Sequence, residues 1–241
     1  MKVIAHRGMS RKFPENSIAS FHGAVKAGAH AIELDVRLTV DNQFIIMHDE
    51  NSYRTTGTSA IISACTRDYL SQIKLKNGEN IPFLDQVIDI FSSECEFHIE
   101  MKSSSIKACD LLKQLISRYR FPRGLIVSSF EPKVVQRMIS TPNSQTSAFL
   151  WDQSSEYISN FSDVQYFMET NNCKIYHPWH KIVTENQIAI GKKLEWSIYP
   201  YVNAEEKNSE KQDVWKRMRQ LKVDGLCTNC PDELYRWLNG E

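Results

Sequence analysis

Two histidines and three acidic residues close or interrupt short apolar runs early in the chain. His6 follows Val3-Ile4-Ala5, Glu33 and Asp35 follow Ala31-Ile32, His48 follows Phe44-Ile45-Ile46-Met47, and Glu100 follows Phe97-His98-Ile99. A charge inside an apolar strand is costly unless it is paired, protonated or bound to an ion. Glu33 and Asp35 alternate, so on a strand both face one side. Glu100 on a neighbouring strand can add a third carboxylate. Three carboxylates without clustered cysteines suit a hard cation, Mg²⁺ or Ca²⁺. Spacing alone equally allows an ion network with Arg7, Arg37 or Lys102. His6 and His48 titrate near neutrality when unperturbed and can share acid and base duty. Arg7 can grip a phosphate with its planar fork, and Lys102 can add a point charge. Together these groups suit in-line displacement at phosphorus.

Alternating strands and helices must hold them. Ser17 can cap a helix carrying Ile18, Phe21 and Val25 on one face, with Gly28 as its stop. Asp85 can cap a second, a third spans Ile106 to Tyr119, and Glu131-Pro132 opens a fourth. Weaker helical patterns lie near 155–168, 184–192 and 207–221, and Pro231 starts a terminal helix. Five further apolar runs, around Ile126, Phe149, Ile175, Ile198 and Leu226, read as strands and bring the candidates to nine. The gap from Asp35 to Phe44 is too short for a crossover helix, so Asp41-Asn42 is expected to make a tight excursion. The pattern predicts an α/β fold, a TIM-type (β/α)8 barrel irregular between strands two and three. Its active site belongs at the C-terminal rim of the strands.

Residues 51–80 break the rhythm with Ser, Thr, Asn and Lys, and carry the turn signal Asn77-Gly78. They form a small insertion after strand three, either a lid or binding loop or a solvated connection. The 241 residues suit a single barrel domain over 1–241, because such barrels occupy about 250 residues. Lys plus Arg total 29 and Asp plus Glu total 29, a balance that argues against a nucleic-acid partner. No signal-peptide pattern precedes Val3 and no apolar run reaches the ~20 residues of a transmembrane segment, so a cytoplasmic protein is expected. Cys227-Thr228-Asn229-Cys230 has knuckle spacing but lacks a second ligand pair, so a metal role there is not expected.

The runs Ala5-His6-Arg7-Gly8, Pro14-Glu15-Asn16-Ser17, Glu33-Leu34-Asp35-Val36, Met47-His48-Asp49 and Arg54-Thr55-Thr56-Gly57 resemble the glycerophosphodiester phosphodiesterase family in order and spacing. So do Ile81-Pro82-Phe83-Leu84, Ile99-Glu100-Met101-Lys102, Val127-Ser128-Ser129-Phe130 and Val223-Asp224-Gly225-Leu226. The resemblance covers essentially the whole chain. It implies a TIM-type barrel that hydrolyses small-molecule glycerophosphodiesters to glycerol 3-phosphate and an alcohol. It also implies that His6 and His48 are the acid/base pair. Glu33, Asp35 and Glu100 would be the ligands of one divalent cation, with Arg7 and Lys102 as phosphate contacts. Asn16 would order the rim and the first helix.

The chain departs from the family pattern in two places. Pro200-Tyr201-Val202-Asn203 stands where the family often has Trp-Thr-Val-Asn, and Thr228-Asn229 stands where Thr-Asp is frequent. His98, His177 and His180 are additional and read as ordinary rim or core histidines. Rival readings are a lysophospholipase D-like or other phosphodiesterase of the same superfamily, a catalytically silent binding relative, and a metal-dependent sugar isomerase. An apolar groove by residues 51–80 would favour the first, and a small polar pocket would favour small glycerophosphodiesters.

Overall fold

The structure, a computed structural model, describes residues 1–139, 146–153, 158–206 and 210–240. It opens with β1 (Lys2–Ala5), α1 (Ile18–Lys26), β2 (Ala31–Leu38) and β3 (Phe44–Ile46). Short helices α2 (Tyr53–Thr56) and α3 (Arg67–Leu70) precede α4 (Leu84–Phe91), β4 (Glu96–Met101), α5 (Ile106–Ile116) and β5 (Leu125–Ser129). There follow α6 (Pro132–Ile139), β6 (Thr146–Trp151), α7 (Phe161–Thr170), β7 (Ile175–Pro178) and α8 (Glu185–Lys193). The chain then runs through β8 (Ser197–Ile198), α9 (Gln212–Gln220), β9 (Gly225–Thr228) and α10 (Pro231–Asn239).

Eight strands pair in parallel in the order β8-β7-β6-β5-β4-β2-β1-β9, and a parallel bridge from Tyr201 to Cys227 joins the two ends. The amide of Cys227 donates to the Pro200 carbonyl at 2.8 Å, and that of Val202 to the Cys227 carbonyl at 2.9 Å. The expected TIM-type barrel is therefore present. The ninth strand candidate is β3, which pairs antiparallel with β2, Val36 opposite Ile46 and Leu38 opposite Phe44. It is a hairpin return and no stave of the barrel. Its turn is the expected tight excursion: the Thr39 hydroxyl donates to Asp41 at 2.6 Å, and Asn42 adopts φ 63°.

Strand alternation sorts side chains into two cores. Val3, Ala5, Ile32, Leu34, Phe97, Ile99 and Val127 face outward and pack with the helices. Ile4, Ala31, Ile126, Ala148, Ile175, Tyr199 and Cys227 fill the lumen. His6, Glu33, Asp35 and Glu100 share the inward parity of the lumen residues. Ser17 caps α1 as expected, its side chain accepting from the Ser20 amide. Asp85 does not cap α4. It lies in the first turn, and the Gln86 side chain takes the Phe83 amide at 3.0 Å. The helical pattern near 155–168 becomes α7, which Asn160 caps; residues 154–157 lie outside the described residues, as do 207–209 before α9.

Residues 51–80 are neither stave nor bare loop. Ala60, Ile62, Leu70, Ile73 and Leu75 pack with Ile45, Met47, Ile81 and Phe83 into a small apolar cluster of their own. No helix among the described residues is long and apolar enough to cross a membrane.

Candidate active site

The inward parity of β2 and β4 brings the three acids together. Asp35 pairs in register with Glu100, and Glu33 stands one layer deeper, beside His98. One oxygen from each of Glu33, Asp35 and Glu100 lies within 4.8 Å of the others, and all three residues are buried. It is the only such His/Cys/Asp/Glu group among the described residues.

Their protonation follows from this crowding. Burial, then the neighbouring Asp35 and Glu100 charges, pushes Glu33 well above the usual carboxyl range. Burial also raises Glu100, against the pull of Lys102. Burial works against ionised Asp35 as well, but Lys102 and Arg7 overcome it and hold that carboxyl well below its ordinary value. Lys102 Nζ lies 3.2 Å from Asp35 Oδ1 and also pairs with Glu100 Oε1. Asp35 Oδ1 accepts no well-formed hydrogen bond from any described residue. A buried carboxylate oxygen left so, beside two more carboxylates, fits a hard divalent ion with oxygen ligands.

The rim loop after β1 fixes Arg7. Arg7 and Gly8 both take positive φ, 55° and 80°. A Cβ at Gly8 would fall 2.3 Å from the Ser20 hydroxyl oxygen, so only glycine fits this turn. The turned backbone lets the Arg7 amide donate to Glu33 Oε2 at 2.9 Å. The guanidinium meets Glu15 Oε1 at 2.9 Å through Nη1 and Asp35 Oδ2 at 3.1 Å through Nε. Asn16, at φ 58°, donates to the same Asp35 oxygen at 2.8 Å. That contact joins the segment before α1 to β2.

The two histidines arrive by different routes. His6 continues β1 to the mouth. His48 comes from the β3 return: β2 runs past the rim, the chain turns, and β3 leads back toward the mouth. The apolar run that His48 follows is thus the hairpin return and no stave of the barrel. Burial, then the adjacent Arg7 charge, lowers His6 to about 3, so its imidazole is neutral. His48 is also lowered by burial, against the pull of Asp35. Its Nδ1 lies 2.7 Å from Asp49 Oδ1.

A cavity of about 480 Å³ contains this chemistry. His6, Arg7, Glu33, His48, Glu100 and Lys102 line it, while Asp35 lies just behind Arg7 and Lys102. The remaining wall includes Glu15, Asp49, Arg54, Ser128, Phe130, Leu150, His177 and Tyr201. Glu15, Asp49 and Arg54 form a network unforeseen from spacing. Arg54 meets Glu15 Oε1 at 2.7 Å and Asp49 Oδ2 at 2.5 Å. Arg54 is the only cavity-lining residue of segment 51–80, which offers no apolar groove there. His177, read as an ordinary histidine, also lines the cavity. His98 is buried in the lumen and His180 lies by Glu206. Pro200 stands in the place of the frequent tryptophan, and the next residue, Tyr201, brings an aromatic ring to the cavity wall, 6.1 Å from Phe130 and 6.4 Å from His6.

The chain is similar to several known proteins. Residues 6–233 match the glycerophosphoryl diester phosphodiesterase family. A Bacillus subtilis protein, provisionally named a glycerophosphodiester phosphodiesterase, is 30% identical over 243 residues, 96% of either chain. The glycerophosphodiester phosphodiesterase of Bacillus altitudinis is 29% identical, over 96% of this chain and 95% of its own. In fold, the chain matches an Oleispira antarctica phosphodiesterase solved with its product sn-glycerol-3-phosphate. The TM-score is 0.87 at 19% identity, covering 99% of this chain and 97% of the other. A match that spans nearly every strand and helix of the barrel leaves one conclusion: the chain belongs to the glycerophosphoryl diester phosphodiesterase family.

Proposed function

We propose that the protein hydrolyses small glycerophosphodiesters to glycerol 3-phosphate and an alcohol. The observation that carries this reading is the convergence, at one cavity, of three buried carboxylates, two cations and two histidines, with Asp35 just behind the lining. Glu33, Asp35 and Glu100 would hold one divalent ion, Mg²⁺ or Ca²⁺. Bound there, the ion would offset the charge of the phosphodiester and orient it for in-line attack.

Arg7 and Lys102 face the same space with fixed positive charge. Arg7 is anchored by Glu15 and Asp35, so its guanidinium holds one orientation as a phosphate enters. Its charge is secure: burial opposes it, but Asp35 and Glu15 keep it far above any working pH. His6 and His48 exchange protons. One takes a proton from the attacking water as the new P–O bond forms. The other, starting as imidazolium, gives its proton to the alkoxide as the old P–O bond breaks. His6 begins as an acceptor, because Asn229 engages its Nδ1 and leaves Nε2 for the cavity.

The charged side chains at the cavity and the single contribution of segment 51–80, Arg54, favour a small polar head group over a lysophospholipid tail. Turnover of glycerophosphocholine, glycerophosphoethanolamine and a lysophospholipid with Mg²⁺, Ca²⁺ or chelator tests the proposal. His6→Ala and His48→Ala are each expected to lower turnover by about 10²–10⁴-fold, the usual worth of a proton-transfer group. Near-parental turnover in both variants would sink the mechanism. A chain turning over only the lysophospholipid would move the substrate to the rival class.

A further inference from the structure

Two buried polar atoms at the cavity floor have no hydrogen-bond partner among the described residues: Ser128 Oγ and His177 Nδ1. Both residues line the cavity and are 2% exposed. Their height follows from the strands. Ile126 and Ile175 belong to the apolar lumen plug. Ser128 and His177 lie two residues further along β5 and β7, on the same inward face and one layer nearer the mouth. They cap the plug and form the bottom of the site.

Their surroundings tie them to the reacting centre. Ser128 stands in register beside Glu100. The His177 ring lies 5.9 Å from that of Tyr201, which lies 6.4 Å from that of His6. The floor therefore spans the space between the carboxylate cluster and a candidate acid/base histidine. Leu150 and Phe130 line the wall nearby.

We propose that Ser128 and His177 form a subsite for a hydroxyl group of the substrate's glycerol moiety. This rests on the phosphodiesterase reading and refines it. A hydroxyl is donor and acceptor at once, as is the serine it would meet. The buried His177 ring is neutral, its pKa pushed down to about 3 by burial, so one ring nitrogen can accept. An ammonium or carboxylate head group would find no counter-charge on these two side chains. The apolar walls suit the carbon skeleton that carries the hydroxyls. Glycerol is also the constant half of such substrates, and the varied alcohols need the open mouth.

Calorimetric binding of sn-glycerol 3-phosphate and n-propyl phosphate, with Mg²⁺ present, tests the subsite. The two esters share the phosphate and chain length and differ in the hydroxyls. The parent chain is expected to favour glycerol 3-phosphate by about tenfold, the scale of one net hydrogen bond. Ser128→Ala and the volume-keeping His177→Phe should each erase most of that preference by weakening glycerol 3-phosphate binding. Either variant alone suffices if the other fails to fold. A folded variant that keeps the parental preference overturns the subsite, as does a parent chain that binds both esters equally. A parent chain that binds neither ester overturns the phosphodiesterase reading beneath it.

Discussion

Asn229 Oδ1 lies 3.1 Å from His6 Nδ1 at the end of β9. The amide has one possible orientation. Its Nδ2 faces three acceptors: Asn203 O at 3.2 Å, Glu210 Oε2 at 3.2 Å and Val202 O at 3.4 Å. Its Oδ1 faces the Ser10 hydroxyl at 3.3 Å and the imidazole. A flipped amide would set oxygen against three oxygens, so His6 Nδ1 must be the donor. The neutral ring then carries its proton on Nδ1 and leaves Nε2 bare, 4.0 Å from Glu33 Oε2. An asparagine in place of the family's frequent aspartate gives the same acceptor without a charge. Glu210, buried beside it, makes that neutrality necessary.

Replacing Asn229 by Leu removes the acceptor while keeping the bulk. Turnover is expected to fall by about 10²-fold, the low end of what a proton-transfer group supplies. The ¹⁵N shifts of His6 should change from a single Nδ1–H form to a tautomer mixture. Unchanged shifts together with unchanged turnover would remove Asn229 from the mechanism. Asn229→Asp should instead destabilise the fold, because its carboxylate meets Glu210 Oε2 and two carbonyls.

Metal binding should release protons. Glu33 and Glu100 are raised above the ordinary Glu value of 4.5, and a ligand carboxylate must be ionised. Affinity for Mg²⁺ should therefore rise with pH above 4.5 until both groups have lost their protons. Titrations in two buffers of different ionisation enthalpy count the protons released. Glu33→Gln should abolish the metal heat. Equal heats in both buffers at pH 6 would contradict the raised carboxyls.

Acid should destabilise the fold through its buried imidazoles. His6 and His177 are held down to about 3 by burial, against the ordinary histidine value of 6.5. Between pH 6.5 and 3 the unfolded chain binds more protons at these two positions, so their contribution to stability falls as pH falls. Each has a limiting slope of about 1.4 kcal/mol per pH unit. Glu15, held to about 2 by Arg54 and Arg7 despite burial, loses stabilisation in the same direction at lower pH. Urea midpoints at pH 7, 6 and 5 should show His177→Phe losing less stability on acidification than the parent. Parallel curves would contradict a neutral buried His177.

Arg7→Lys separates a point charge from a fork. A lysine can meet Glu15 or Asp35 but cannot reproduce the planar pair of contacts. Turnover at saturating metal is expected to fall by at least about tenfold, the scale of one lost charge-assisted hydrogen bond. Metal affinity should weaken as well, since Asp35 loses a partner that keeps it ionised. Parental values for both would show that the fork is unnecessary.

The sequence by itself determined the strand–helix alternation, the barrel, and the shared face of Glu33 and Asp35. Parity along a strand is local, and hydrophobic runs mark the staves wherever they fall. The short gap from Asp35 to Phe44 likewise announced a tight turn. Tertiary structure alone decided what that turn does: it sends β3 antiparallel and returns His48 to a mouth that its own strand does not build. Glu15, Asn229 and His177 were beyond sequence reasoning for the same cause. Glu15 reads as a loop acid until Arg7 and Arg54 close on it, 8 and 39 residues away in the chain. Asn229 reads as a lost charge until His6 and Glu210 enclose its amide, at separations of 223 and 19 residues. Barrel closure sets those distances, and only closure makes an isolated polar residue part of a site.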